Sequence, residues 1–374
     1  MEGRTISQVC SQINPRKIRN LNRQSLRQLC WVIVAFFGIP IQTWARDSFV
    51  VDMHVHTAGV GFGGSGCFVS DSLRNGYKFN WYLAAFGVTL EELEQHGDAL
   101  IIERLSRRVA ESTEVDKAVL LAMDGVVGND GQLNKLETRV FIPNRFIAEQ
   151  TDKYPNLLFG ASVNPYRADA IERLHQVKRR GAVLIKWIPA IMAIDPADTA
   201  LEDFYRALVA LDLPLLSHVG QEKSFGLAED HLGDPQRLHL PLSLGVTVIA
   251  AHIASTGKNG GEGNYERLIP LFAQYPKLYT DISSLTQINK LGYLSRALRD
   301  GRFTNRMIYG SDWPLQFFPL VSPWYQVGRA SLPDLRRVAK ISNQWDRDLN
   351  LKRAMGVPDS VFARTAEVLK LRAD

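Results

Sequence analysis

Four of the eight histidines of this 374-residue chain stand at the polar ends of apolar runs. His54 and His56 close Phe49–His56 (FVVDMHVH), His218 lies in Pro214–Gly220 (PLLSHVG) and His252 in Thr247–Ala254 (TVIAAHIA). An aspartate, Asp312, ends a further run, Arg306–Trp313 (RMIYGSDW). In a β-strand residues i and i+2 share a face, so the imidazoles of His54 and His56 can reach one ion from a single rigid element. A lone His-x-His is often a chance pair. Two further imidazoles and a carboxylate at the ends of other strands turn the reading towards a metal site. The remaining histidines, His96, His175, His231 and His239, fall in helices or loops.

Positioning such a set requires several strands that open on one rim. Besides the runs above, Lys117–Asp124, Leu157–Pro165, Ala182–Pro189 and Leu278–Leu285 begin apolar and end polar, which makes eight. Helical periodicity fills the intervals at Leu90–Glu114, Arg145–Tyr154, Ala168–Arg180, Leu201–Leu211, Tyr265–Tyr275 and Leu291–Asp300. Repeated βα units with strands buried on both faces predict an α/β fold, a (β/α)8 TIM-type barrel with chemistry at the C-terminal ends of its strands. Two segments exceed a minimal barrel: a long Gly- and aromatic-rich loop after the first strand, residues 57–89, and a tail from Pro314 to Asp374 expected to form helices on the outside. Within that loop Gly61–Gly66 (GFGGSG) matches the dinucleotide fingerprint, but no clean helix starts at its last glycine, so a lid hinge is expected instead. A second mobile loop is expected at Lys258–Gly263 (KNGGEG). Ser217 and Ser255 do not sit in a nucleophile elbow, which argues against serine hydrolysis.

The order of short motifs resembles the amidohydrolase superfamily, and within it the amidohydrolase-related group of metal-dependent hydrolases and decarboxylases. The resemblance runs from about Val50 to Leu371 and rests on Asp52–His56 (DMHVH), Ile185–Ala190 (IKWIPA), Leu216–Glu222 (LSHVGQE), Ile249–His252 (IAAH) and Tyr309–Pro314 (YGSDWP). It implies that His54, His56, His218 and Asp312 are metal ligands. It also implies that His252 either binds a second metal or polarises the substrate, and that Lys186 stands where two-metal members carry a carboxylated lysine bridging both ions. One zinc or other divalent ion is favoured, with two left open. Lys186 could instead turn its head to solvent at the strand end. Asp52 reads as an orienter that holds an imidazole from behind. Lys186, Glu222 and Asn164, with Asp124 and Ser283, are expected near the substrate, although structural hydrogen bonds would explain each equally well.

The chemistry expected is hydrolysis of a lactone, ester or amide of a small molecule by a metal-activated water, with Asp312 accepting the water's proton and His252 stabilising the oxyanion. The alternative is a metal-dependent decarboxylase acting on a small aromatic or unsaturated acid with the same ligands, because fold does not fix reaction. A binding protein that retains the metal only for stability is a third reading, disfavoured by the proton-transfer residue and the long rim loops.

The charge balance excludes one further class. The net charge is +5, yet the first 45 residues hold six basic side chains against Glu2 alone, leaving 38 of each sign elsewhere. No basic face for nucleic acid is indicated. The basic stretch precedes an apolar run, Leu29–Ile41, too short for a bilayer span and suited to a secretory leader. Residues 1–45 are therefore expected to be a signal peptide or a membrane anchor, with residues 46–374 forming the catalytic domain. That places the enzyme in an exported or membrane-associated location and leaves a cytoplasmic one open, as it leaves self-association open. Cys10 and Cys30 fall in the N-terminal segment, so Cys67 alone remains in the body and no internal disulfide is available there.

Overall fold

The computed structural model describes residues 49–222 and 228–371. The expected leader or anchor at residues 1–45, including the apolar run at 29–41, lies outside these residues; among the described residues no helix is long and apolar enough to cross a membrane.

Each of the eight apolar runs becomes a strand of one sheet, starting within two residues of its predicted start. The strands are β1 (Val51–His56), β2 (Lys117–Leu121), β3 (Leu157–Ala161), β4 (Leu184–Trp187), β5 (Leu215–Ser217), β6 (Val248–Ala250), β7 (Leu278–Asp281) and β8 (Met307–Ile308). They pair in parallel in chain order. Beyond β8 the chain returns to β1: Val55 and Trp313 form a parallel bridge, and Asp312 N donates to His54 O at 2.9 Å. This is the (β/α)8 barrel that the alternation predicts.

Strand parity decides what enters the barrel. Inside it a small apolar cluster contains Val51, Met53, Val119, Leu121, Leu184, Leu216, Ile249, Ala251 and Ile308. Two residues further along β4 and β5 the same inward parity delivers Lys186 and His218, and four residues beyond Ile308 it delivers Asp312. β1 needs an irregularity to do the same. Its register against β2 shifts between Asp52 and Val55, a bulge that lets His54 and His56 follow Val51 and Met53 into the interior. The larger core lies between barrel and helices, around Trp187, Phe204, Tyr265, Phe303, Trp313 and Trp345.

The segment expected as one helix, Leu90–Glu114, is two: α1 (Leu90–His96) and α2 (Ala99–Ala110). Gly97 breaks it at φ 79°, and a Cβ on Gly63 would stand only 2.9 Å from the Gly97 Cα. Asp98 beside it accepts hydrogen bonds at one carboxylate oxygen from Val60 N, Gly61 N and Ser65 Oγ at 3.0, 2.9 and 2.5 Å. The glycine-rich stretch after β1 is thus clamped to the α1–α2 corner, and this corrects the expectation of a free lid hinge. Helices at Asn144–Thr151, Ala170–Arg179, Glu202–Ala210, Asn264–Gln274 and Tyr293–Leu298 follow their predicted positions. In the tail, helices form at Leu332–Val338, Gln344–Ala354 and Asp359–Val368. The last of these does more than lie outside. Val368 and Leu369 pack on the inner cluster at the strand starts, and Arg364 and Thr365 donate to the Met307 and Tyr309 carbonyls.

Candidate metal centre

At the C-terminal rim the acceptor atoms of β1 and the β8 extension converge. His54 Nε2 lies 3.1 Å from His56 Nε2, and the Asp312 Oδ1 atom lies 3.7 and 3.4 Å from the two imidazole nitrogens. Ligand atoms at about 2.0–2.1 Å from a tetrahedral cation stand about 3.3 Å from one another, so the spacing of this trio fits a small divalent ion. The trio is also among the groups whose donor atoms all lie within 4.8 Å of one another, and His218 is not part of it. His218 instead packs edge-on to His252 with ring centroids 5.3 Å apart, and its Nε2 lies 3.5 Å from Glu222 Oε2. That nitrogen is buried with no hydrogen-bond partner among the described residues.

What holds His54 in this pose is Asp281 at the end of β7, a residue the sequence reading passed over. A carboxylate only accepts, so His54 carries its proton on Nδ1 and donates it to Asp281 Oδ2 at 2.7 Å. The opposite nitrogen, Nε2, is thereby left as a lone pair facing the trio. The other Asp281 oxygen accepts from His252 N, Ser283 N and Ser283 Oγ at 2.9, 3.2 and 2.5 Å. With both oxygens so occupied, the second cluster of His54, His252 and Asp281 is a hydrogen-bonding hub rather than a second ion site. The expectation that Asp52 orients an imidazole is corrected accordingly. Asp52 accepts from His54 N, Ser311 N and Trp345 Nε1 and so fixes the bulged backbone, not the ring.

His252 sits where β6 leaves extended geometry, at φ 56°, and Asp312 likewise at φ 65°. Non-glycine residues in this region carry strain of about 1–3 kcal/mol each. The His252 ring stacks on His54 at 5.1 Å. Its Nδ1 faces the Ser283 carbonyl at 3.3 Å and Ser283 Oγ at 2.7 Å. The Ser283 hydroxyl proton is already committed to Asp281, so both groups accept and the His252 proton belongs on Nδ1. Its Nε2 is then an acceptor. An oxyanion contact from neutral His252 would need the other tautomer.

Lys186 does not reach solvent. Its side chain is buried and its Nζ stands 3.0 Å from His54 Nε2. A cation at the trio needs the same lone pair, so the ammonium has to move aside for it. Burial, opposed by Asp281 and Asp312, brings the Lys186 ammonium down to about 8. Burial likewise pushes the His54 imidazole down to about 4, with Lys186 adding to the shift and Asp281 opposing it. Burial alone would raise the Asp312 carboxyl, but the surrounding His252, His56 and His54 outweigh it and hold the group well below the usual carboxylate range. Neutral imidazoles beside an ionised carboxylate are the protonation states that metal binding requires.

Asn164 and Asp124 are structural. The Asn164 amide donates to the Gly125 and Met192 carbonyls and accepts from Tyr166 N, while Asp124 is paired with buried Arg167. The expected substrate contact at Asn164 is therefore corrected: all its polar atoms serve neighbouring backbone. Glu222 stays at the rim beside His218. Ser283 serves the hub. Lys290, on a turn after β7, is buried in the same region and was not anticipated. Nothing in its surroundings in the sequence distinguishes it from a surface lysine.

The amidohydrolase family profile matches residues 51–327. No curated protein matches the chain. Among solved structures, an uncharacterised TIM-barrel protein from Bordetella bronchiseptica is similar at 13% identity and a TM-score of 0.53, over 86% of this chain and 98% of that one. A candidate 2-pyrone-4,6-dicarboxylic acid hydrolase from Pseudomonas putida is similar at 13% identity and a TM-score of 0.50, over 87% and 99%. At this identity the two structures speak for the fold, whereas the family match spans most of the barrel and its rim. This chain, with its paired β1 histidines and β8 aspartate on one rim, belongs to the amidohydrolase family, a family of metal-dependent enzymes that includes hydrolases and decarboxylases.

Proposed function

We propose that the protein is a metal-dependent hydrolase that opens a carbonyl C–O or C–N bond of a small lactone, ester or amide. The observation that supports this reading most is the convergence of Asp312 Oδ1 on His56 Nε2 and His54 Nε2, at 3.4 and 3.7 Å. In this reading one zinc or other divalent ion is held by His54, His56 and Asp312, with the unpartnered Nε2 of His218 as the further ligand and His252 and Lys186 as the residues that a second ion would engage. Such an ion supplies Lewis acidity, polarising a substrate carbonyl and lowering the pKa of water.

The chain's own residues do the rest. Asp312 accepts the proton of the attacking water and returns it to the leaving oxygen or nitrogen, a role suited to a carboxylate that stays ionised. Asp281 fixes the His54 tautomer, so that Nε2 is always the exposed lone pair. His252, neutral and with its proton turned to Ser283, offers an acceptor on the same side. Lys186 and Glu222 border the space left for substrate.

The test is turnover on a panel of lactones, esters, amides and aromatic acids, with carbon dioxide release followed in parallel. Hydrolysis that is lost on chelation and restored by a divalent ion is expected. Metal-dependent carbon dioxide release with no hydrolysis of any substrate would move the protein to the decarboxylase branch of its family.

A further inference from the structure

Lys290 is a buried cation without a counter-ion. Its side chain, 7% exposed, ends the turn Ile288–Lys290 that follows β7, and its ammonium donates to Ser284 Oγ. No carboxylate lies within ion-pair distance of it among the described residues, in contrast to the buried Lys352, which pairs with Asp348 at 2.7 Å. An ammonium has three protons to donate and no lone pair, so one neutral hydroxyl leaves most of its capacity unused. Buried charges of this kind are normally paired, because an unpaired one is strongly disfavoured. An anionic ligand would supply the missing partner.

Its position says which ligand. Ser284 Oγ stands 3.1 Å from His252 Nδ1, so Lys290 is two contacts from the ring that stacks on His54. Its charge bears on His218, His252 and Lys186, and the charges that oppose it are Asp312, Glu222 and Asp281 at the centre itself, none within ion-pair distance. Asp281 is saturated by hydrogen bonds, Asp312 is drawn to the β1 histidines and Glu222 lies against His218, so none of the three pairs with it directly. Lys186, whose Nζ lies 3.0 Å from His54 Nε2, is also buried, at 1% exposure, so the centre carries two buried lysines.

We propose that Lys290 is an anion subsite of this centre that takes a carboxylate carried by the substrate, apart from the bond that reacts. The proposal rests on the reading of the rim as the catalytic site but not on which bond is broken there. The substrate class is then an organic acid whose carboxylate is retained through the reaction. The Lys290 ammonium fixes the end of the molecule opposite the scissile group, and a neutral analogue leaves that ammonium unpaired.

The test uses the metal-loaded protein and two matched pairs of probes, acetate with acetamide and benzoate with benzamide, titrated by calorimetry into wild type, Lys290→Met and Lys290→Arg. At least one acid should bind wild type about tenfold or more tightly than its amide, the effect of a hydrogen bond to a charged group. Lys290→Met should lose that preference, Lys290→Arg should keep most of it, and both should retain wild-type metal content. Thermal unfolding separates this from a structural role: removing a buried unpaired charge should leave the Tm of Lys290→Met unchanged or higher. Acids that bind no better than their amides to wild type, a preference that survives in Lys290→Met, or a Lys290→Met protein that is destabilised and sheds metal would each overturn the proposal. Metal content, read in the same samples, reports separately on the ligand set, so loss of the metal reading and loss of the anion subsite are distinguishable.

Discussion

At the scale of single residues the centre is organised by proton placement. Asp281 commits the His54 proton to Nδ1, and Ser283, its own proton committed to the same carboxylate, does the same for His252. Two lone pairs are thereby aimed where ligands are needed. Asp281→Ala should lower metal affinity about 10–100-fold, the usual cost of losing such an orienting partner. Competition against a chromophoric chelator measures this without any assay of turnover, and unchanged affinity would remove Asp281 from the account. Asp312 makes a different prediction. Asn tolerates the left-handed backbone at φ 65° as well as Asp does, so Asp312→Asn should fold normally. It should nevertheless lose about 10²–10⁴-fold in kcat as the proton acceptor disappears. A variant with full metal content and near-normal turnover would contradict that role.

At the scale of elements, what could be read from the sequence is what regular geometry carries. Lys186, His218 and Asp312 lie at inward parity from apolar residues of their own strands, and His54 and His56 share a face, so regular geometry accounts for each strand's own residues but not for the inward turn of the two β1 histidines, which needs the bulge. Departures from regularity were not legible. The β1 bulge, the turns at His252 and Asp312 and the Asp98 clamp on the loop after β1 depend on contacts between residues distant in sequence. Asp281 ends its strand polar like the others, but in LYTDISSL nothing local separates it from Ser283 and Ser284, and Lys290 has no local signal at all. The clamp makes a prediction of its own. Gly97→Ala would place a Cβ at φ 79° about 3.0 Å from the Gly63 Cα, so it should destabilise the protein by more than about 1 kcal/mol. Amide exchange should rise first in residues 57–70. Exchange that rises uniformly over the barrel instead would show that the clamp is not a local element.

At the scale of the whole molecule the barrel gathers buried histidines whose neutral form the fold requires. The His54 imidazole falls to about 4 from an ordinary value of 6.5, chiefly through burial, and those of His218 and His252 fall as well. Between the folded and unfolded values the unfolded chain binds more protons, so stability rises with pH across that window. The metal-free protein should therefore hold its full stability above about pH 6.5 and lose it progressively as pH falls towards about 4, by on the order of a few kcal/mol in total. Urea unfolding of chelated protein between pH 7.5 and 4 measures the slope. A flat profile would mean that these rings are solvated and not part of a sealed centre. The fold itself was legible almost entirely, because eight runs in succession leave few alternatives to a closed sheet. The plugging of its strand starts by Val368 and Leu369 was not, since two apolar residues at the end of a helix carry no mark of their partner.

The most direct test of the central claim is anomalous diffraction from crystals grown with a divalent ion. One strong peak is expected at about 2.0–2.2 Å from His54 Nε2, His56 Nε2 and the Asp312 carboxylate, with Lys186 Nζ displaced from its place beside His54. No peak at that position, or an ion bound elsewhere while Lys186 stays on His54, would contradict it.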